Sequence, residues 1–321
     1  MAYTNSQATP RSDIYALMMQ APMAGNELFI GDKVFPVKGE DVKRGIYMKA
    51  SLGNAELLNG DAKPRAAGDA YQRINRKYDV DTFDAQEYGL ESVIDDSYAS
   101  ETERFFGLEI TEAMLLERSL RISYEVRIAA ALLNASTFNA TAAGVAYTEA
   151  NLGTINVPAD VSLAKLRMLR NGQIPNTIIM SANIFERIKR STLLQNQVFG
   201  VVPKGAGQYL IPSDADIAQA LGVETVLVGR APKNANAKGQ TYSGSFIWSD
   251  TYLAIAYIAG GEYQAGGVGR TIQWSKDTTG LFTPETYRSD ERRSDILRVR
   301  QHTAEKVIDT TACELITTSY A

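Results

Sequence analysis

The chain reads as an α+β protein, and three stretches carry that reading. Residues 108–134, LEITEAMLLERSLRISYEVRIAAALLN, are the longest unbroken helical signal. Residues 160–259 alternate short helices with short strands, and residues 260–321 are β-rich. Together they predict a long helix, a compact α/β unit and a β layer assembled from segments distant in sequence.

In the long helix, Leu115, Ile122, Val126, Ala129 and Leu133 recur at steps of seven, four, three and four, which places them on one face. Glu117, Arg121 and Glu125 follow at i,i+4 and are expected on the solvated side, where alternating charges support one another. No Pro or Gly interrupts the run, and Asn134 is the expected terminator. The rod is expected to be roughly 39 Å long, well beyond an average helix.

Ahead of this helix the signals are weaker. Residues 1–26 show no core pattern beyond a short amphipathic turn at 14–19, and read as an arm ordered by something outside its own domain. LFIGDKVFPV, 28–37, predicts two short strands about Gly31-Asp32, and GIYMKA, 45–50, another strand. Residues 58–77 are loop-like and cationic, with Lys63, Arg65, Arg73, Arg76 and Lys77. A long segment of that kind inside a compact protein either is a solvated surface loop or meets a partner. Residues 78–96 turn acidic, with Val80, Phe83, Tyr88 and Leu90 as anchors, so the two segments can pair within one molecule or between copies. Ser100 and Glu103 have capping-box spacing.

Beyond the helix, 136–153 is small, polar and Gly-containing, and reads as a connector. VSLAKLRMLRNG predicts a helix closed by Gly172; Ser181 caps the next, after strand TIIM; and Ser213 with Asp216 opens a third that Gly222 ends before strand VETVLV. Residues 231–240 read as a polar loop, and SFIW with TYLAIAYIA as a hairpin about Ser249-Asp250. GGVGRTIQW and DILRVRQHTAEKVID alternate as strands, the latter expected to fold back on the long helix, and TACELITT closes the chain.

Composition is that of an ordinary globular protein: 321 residues, 45% hydrophobic, 22% charged, formal net charge −4. That balance argues against a dedicated nucleic-acid binder. A single cysteine, Cys313, excludes an internal disulfide and points to a reducing compartment. No export leader or membrane segment is apparent. The single histidine, His302, removes most acid–base and zinc designs; it reads as a surface or interface residue on a strand. GVVPKG, 200–205, has two glycines at phosphate-loop spacing, but Ala206 and Gly207 replace the required Lys and Ser/Thr, and GGVGR, 266–270, lacks the third glycine of a dinucleotide fingerprint. The carboxylates Asp79, Asp81, Asp84, Asp95 and Asp96 leave a carboxylate-dependent metal enzyme as an alternative, with acidic surface the commoner meaning. No catalytic residue, metal ligand or cofactor is assigned.

Several phrases share their order and spacing with one family. They are Glu87-Tyr88-Gly89-Leu90-Glu91, LLERSLRISYEVRIAAALL, Pro175-Asn176-Thr177-Ile178-Ile179-Met180, the stretch from Leu221 to Gly229, Phe246-Ile247-Trp248, and Tyr287 to Asp295. Over about 80–310 the chain resembles the major capsid proteins of tailed phages with the Hong Kong 97-type fold. The resemblance implies an N-terminal arm, 1–45, and an extended loop, 46–85. It further implies a peripheral domain of 86–162 and 261–321 with spine helix 108–134, and an axial domain, 163–260. By the same resemblance the chain self-assembles through hexamers and pentamers into an icosahedral head enclosing double-stranded DNA without sequence-specific binding. Assembly is expected in the bacterial cytoplasm, with a separate scaffolding protein and a portal as partners and no membrane. Lys63, Arg65, Arg73, Arg76 and Lys77 are implied as inter-subunit contacts over a neighbour's acidic surface. The nearest alternative is an encapsulin-like nanocompartment shell.

Overall fold

The protein is described by a computed structural model covering residues 8–20, 25–49, 60, 62–73, 79–97, 107–200, 211–237, 239–278 and 280–320. Leu108–Leu132 form one helix of 25 residues, α3, about 37 Å long at 1.5 Å per residue. Leu133 N–H closes the last turn on Ala129 O at 2.9 Å, and Asn134 stops the helix. Its carbonyl takes the N–H groups of Thr137 and Phe138, and its side chain that of Ser136 at 2.9 Å.

The buried face of α3 differs from the one its apolar periodicity predicts. Ala113, Glu117, Leu120, Tyr124, Glu125, Ile128, Ala129 and Leu132 are buried, whereas Leu115 is exposed. Glu117 and Glu125, expected in solvent, lie inside. The reason is that the helix is wedged between protein layers and needs two inward flanks. Glu117 is neutralised by Arg121 at 2.6 Å, and Glu125 by donors described below.

One side of α3 rests on a six-stranded sheet. Its path runs from β1 (Thr9–Pro10) through β13 (Thr283–Ser289), β14 (Ser294–Val307) and β12 (Gly269–Trp274) to β2 (Val37–Glu40), and β5 (Gln86–Asp95) also pairs with β14. As expected, β14 lies back on the long helix: Leu297 and Val299 pack with Ala113, Leu120 and Phe282. Ile14 and Met18 of α1 (Ser12–Gln20) join that cluster and are almost fully buried. The amphipathic turn read at 14–19 is therefore a helix ordered by its own chain, because two apolar residues at i,i+4 suffice to dock it.

The other layer is a five-stranded mixed sheet, ordered β6 (Asn139–Ala142), β15 (Cys313–Thr317), β11 (Tyr252–Ala256), β7 (Thr177–Ser181) and β8 (Thr225–Gly229). It is flanked by α4 (Val157–Arg170), α5 (Ala182–Lys189), α6 (Thr192–Phe199) and α7 (Asp214–Leu221). Ser181 accepts Ile184 N–H at the start of α5. Ser213 and Asp216 form a reciprocal capping box on α7, and Gly222 ends that helix at φ 61°.

Three local readings change in this layer. The connector 136–153 contributes β6, which runs parallel to β15. The C-terminal TACELITT supplies β15, so the last strand leaves the β-rich layer for the mixed sheet. The expected hairpin about Ser249-Asp250 is absent. β10 (Gly244–Phe246) pairs instead with β9 (Pro232–Asn234) inside the presumed polar loop, and β11 pairs with β7 and β15. The cause is Ile247-Trp248, which is buried and turns the chain inward between the two strands.

Near the N-terminus, 28–37 is not a strand pair. It forms a 3-10 turn, Asn26–Leu28, and a short helix, α2 (Gly31–Val34), before β2 begins at Val37. β3 (Arg44–Lys49) and β4 (Asp79–Asp84) then build a two-stranded antiparallel ribbon. Tyr47 and Phe83 fix its base against Ile272, Ala304 and Ile308. Of the four acidic-segment anchors, Phe83 is buried and Tyr88 half-buried, while Val80 and Leu90 are exposed. Ser100 and Glu103 lie outside the described residues.

Candidate assembly site

The elements meet at Glu125, which is 1% exposed. Its Oε1 accepts Ile30 N–H at 2.9 Å and the Trp248 indole N–H at 2.7 Å; its Oε2 accepts Gly31 N–H at 2.7 Å. The carboxyl oxygens therefore receive the N–H groups at the start of α2 and tie in the β10–β11 connection at the same point. This explains why 30–34 turns helical despite its strand-like pattern. Burial pushes the Glu125 carboxyl above its ordinary range, and the three N–H donors oppose that rise. Gly31 is required here: a Cβ would stand 2.5 Å from Glu125 Oε2.

A second polar centre lies under the loop between β12 and β13. His302 is 3% exposed rather than on the surface. Its Nδ1 is 2.6 Å from Asp277 Oδ2, and its ring meets Trp274 edge-on at 5.2 Å. Arg300 donates to Asp277 and, at 2.6 Å, to Glu285. Burial alone would raise the Asp277 pKa, but Arg300 and His302 outweigh it and hold the carboxyl below its ordinary value. The sequence missed this centre because alternation marks a strand without saying which polar side chains a covering loop will bury.

The cationic segment leaves from β3 and returns through β4. Lys63, Arg65 and Arg73 are exposed, and Arg76 and Lys77 lie outside the described residues. Arg65 donates to Asp69 O at 2.6 Å and stacks over Tyr71 at 4.6 Å, so the turn braces itself. The acidic segment is largely engaged within its own chain. Asp81 pairs with Lys49 at 2.8 Å, Asp84 with Arg44 at 2.9 Å, Asp96 with Arg288 at 2.6 Å and Glu91 with Arg298 at 2.6 Å. Asp95 accepts from Ser97. Among the described residues no three His, Cys, Asp or Glu side chains converge as a metal site, and no helix is long and apolar enough to cross a membrane.

No family model and no curated protein sequence matches the chain. Solved structures do. A phage-related protein from Bordetella bronchiseptica RB50 superposes with a TM-score of 0.69 at 16% identity, covering 98% of each chain. The capsid of cyanophage P-SCSP1u gives 0.58 at 10% identity, covering 91% of this chain and 88% of its own. The capsid of a native GTA particle gives 0.55 at 11% identity, covering 91% and 90%. The chain has the Hong Kong 97-type capsid fold. In that fold α3 corresponds to the long spine helix and the six-stranded sheet to the peripheral β layer. Glu125 thus sits where α3, the start of α2 and the connection between β10 and β11 touch.

Proposed function

We propose that this chain is the major capsid protein of a tailed phage. Copies gather into pentamers and hexamers and close an icosahedral head around double-stranded DNA in the bacterial cytoplasm, aided by a scaffolding protein and a portal. The role is structural rather than catalytic. The observation that carries the reading is the match over 98% of each chain to the Bordetella phage-related protein, together with the capsids of cyanophage P-SCSP1u and of the GTA particle over 91% of this chain. We further assign 1–45 to the arm, 46–85 to the extended loop, 86–162 with 261–321 to the peripheral domain, and 163–260 to the axial domain. The β3–β4 ribbon at the ends of 46–85 supports the loop assignment; β6 and β15, lent to the sheet of β7, β8 and β11, stitch the two domains together. Lys63, Arg65, Arg73, Arg76 and Lys77 are the cations with which the loop holds a neighbour. The acids of 79–96 are mostly paired at home; exposed Glu87 is the most loosely held of them, with Arg300 at 3.8 Å, and is the acceptor there most open to a neighbour.

Expression of the chain with its flanking genes, followed by negative-stain electron microscopy, tests the reading. Closed shells tens of nanometres across are expected. Small discrete oligomers under those conditions would overturn it, and shells filled with an enzyme instead of DNA would move it to a nanocompartment.

A further inference from the structure

Helix α4 has two apolar faces where a surface helix normally has one. Val157, Val161, Ala164 and Met168 point into the core. On the opposite side stand Leu163, Leu166 and Leu169, 56%, 49% and 49% exposed, continued past the helix end by Ile174 at 71%. The charged residues that flank this face are turned back into the subunit. Asp160 accepts Gly144 N–H at 3.0 Å and Tyr147 Oη–H at 3.1 Å; Lys165 donates to the carbonyls of Leu221 and Gly222, ending α7; Arg167 reaches Glu314 at 3.3 Å. Only Arg170 keeps a charge on the outward side.

We propose that this leucine face of α4 is the surface by which one axial unit seats against a second copy of the same chain around a capsomer. The proposal rests on the shell reading above and names the contact within it. Its size argues for that occupant. Four half-exposed aliphatic side chains offer roughly 400 Å², the scale of the largest patch a monomer commonly leaves open. That is about half of what each partner of a stable pair buries. One such contact does not hold a dimer. In a closed ring each copy is held on two sides by the same head-to-tail contact, and a patch of this size becomes sufficient.

The test is a single cysteine, Leu166→Cys, in the full chain produced with its flanking genes. Cys313 is buried, so maleimide reports position 166. We expect labelling to fall at least tenfold on passing from dispersed subunits to particles. Equal labelling in both states overturns the proposal while leaving the shell reading intact. Protection that comes only when a different structural protein is added also overturns it, by assigning the face to that protein. In parallel, Leu163→Glu with Leu166→Glu should leave the subunit's melting temperature unchanged and cut particle yield at least tenfold. Wild-type yield from a folded double variant overturns the proposal; if that variant fails to fold, the cysteine experiment decides. Absence of particles from the wild-type chain removes the shell reading, and this inference with it.

Discussion

The carboxylate of Glu125 accepts the indole N–H of Trp248 at 2.7 Å, joining the middle of the spine helix to a connection 123 residues later in the chain. The same carboxylate holds Ile30 and Gly31. One buried side chain therefore fixes three segments that no local pattern would bring together. Residues 30–34 owe their helical turn to it.

Removing that carboxylate leaves three buried donors without an acceptor. Glu125→Ala should destabilise the dispersed subunit by about 3–5 kcal/mol, since each unsatisfied buried donor costs on the order of 1–3 kcal/mol and the losses overlap. Denaturant midpoints read the loss. Trp248 fluorescence should shift to the red as the indole N–H meets water.

The Asp277 centre predicts a pH dependence with a definite sign. Its carboxyl lies below the ordinary value in the folded chain, so it contributes stability above the unfolded value and loses it as pH falls through the folded one. Asp277→Asn should be about 1–2 kcal/mol less stable than wild type at neutral pH. Stability curves should keep that gap down to about pH 4, the ordinary carboxylate range, and converge below it. A gap that widened under acid would contradict the geometry.

Reversal of exposed Arg65 and Arg73 to Glu should change folding by less than about 0.5 kcal/mol, because neither guanidinium is buried. If the loop's cations hold a neighbour, particle yield should still fall, and raised salt should weaken wild-type particles in the same direction. Circular dichroism of the subunit and particle counts by electron microscopy separate the two effects.

Much of the fold was legible in the residues. The spine announced itself through 25 residues without a breaker, and Ser181, Ser213, Asp216 and Gly222 placed helix ends through their own hydrogen bonds. These are local effects. What could not be read was set across the fold. Glu117 and Glu125 look solvated at i,i+4 from Arg121, and only the second layer shows them to be inside. The turn at Ile247-Trp248 broke an expected hairpin because an acid on a distant helix claims the indole. His302 is buried by a loop whose covering role its sequence does not signal. A lone Glu entering the apolar run RIAAALL, and a Trp beside Ile247, were the available hints.

The coupling between Trp248 and Glu125 can be measured through Gly229. A Cβ at that position would come within 2.1 Å of the Trp248 ring, so Gly229→Ala must push the indole away. The displacement should cost about 1–3 kcal/mol as overpacking, and it should break the bond to Glu125 as it does so. Glu125→Gln weakens the same bond from the other end. Two variants that remove one interaction should not add, and the double variant should be less destabilised than the sum by at least about 0.5 kcal/mol. Gly45→Ala, where a Cβ would meet the Phe83 ring at 2.8 Å in a separate cluster, is the control. It overpacks a different contact and should add to Glu125→Gln. Strict additivity of Gly229→Ala with Glu125→Gln would mean that the indole and the carboxylate are neighbours without being partners.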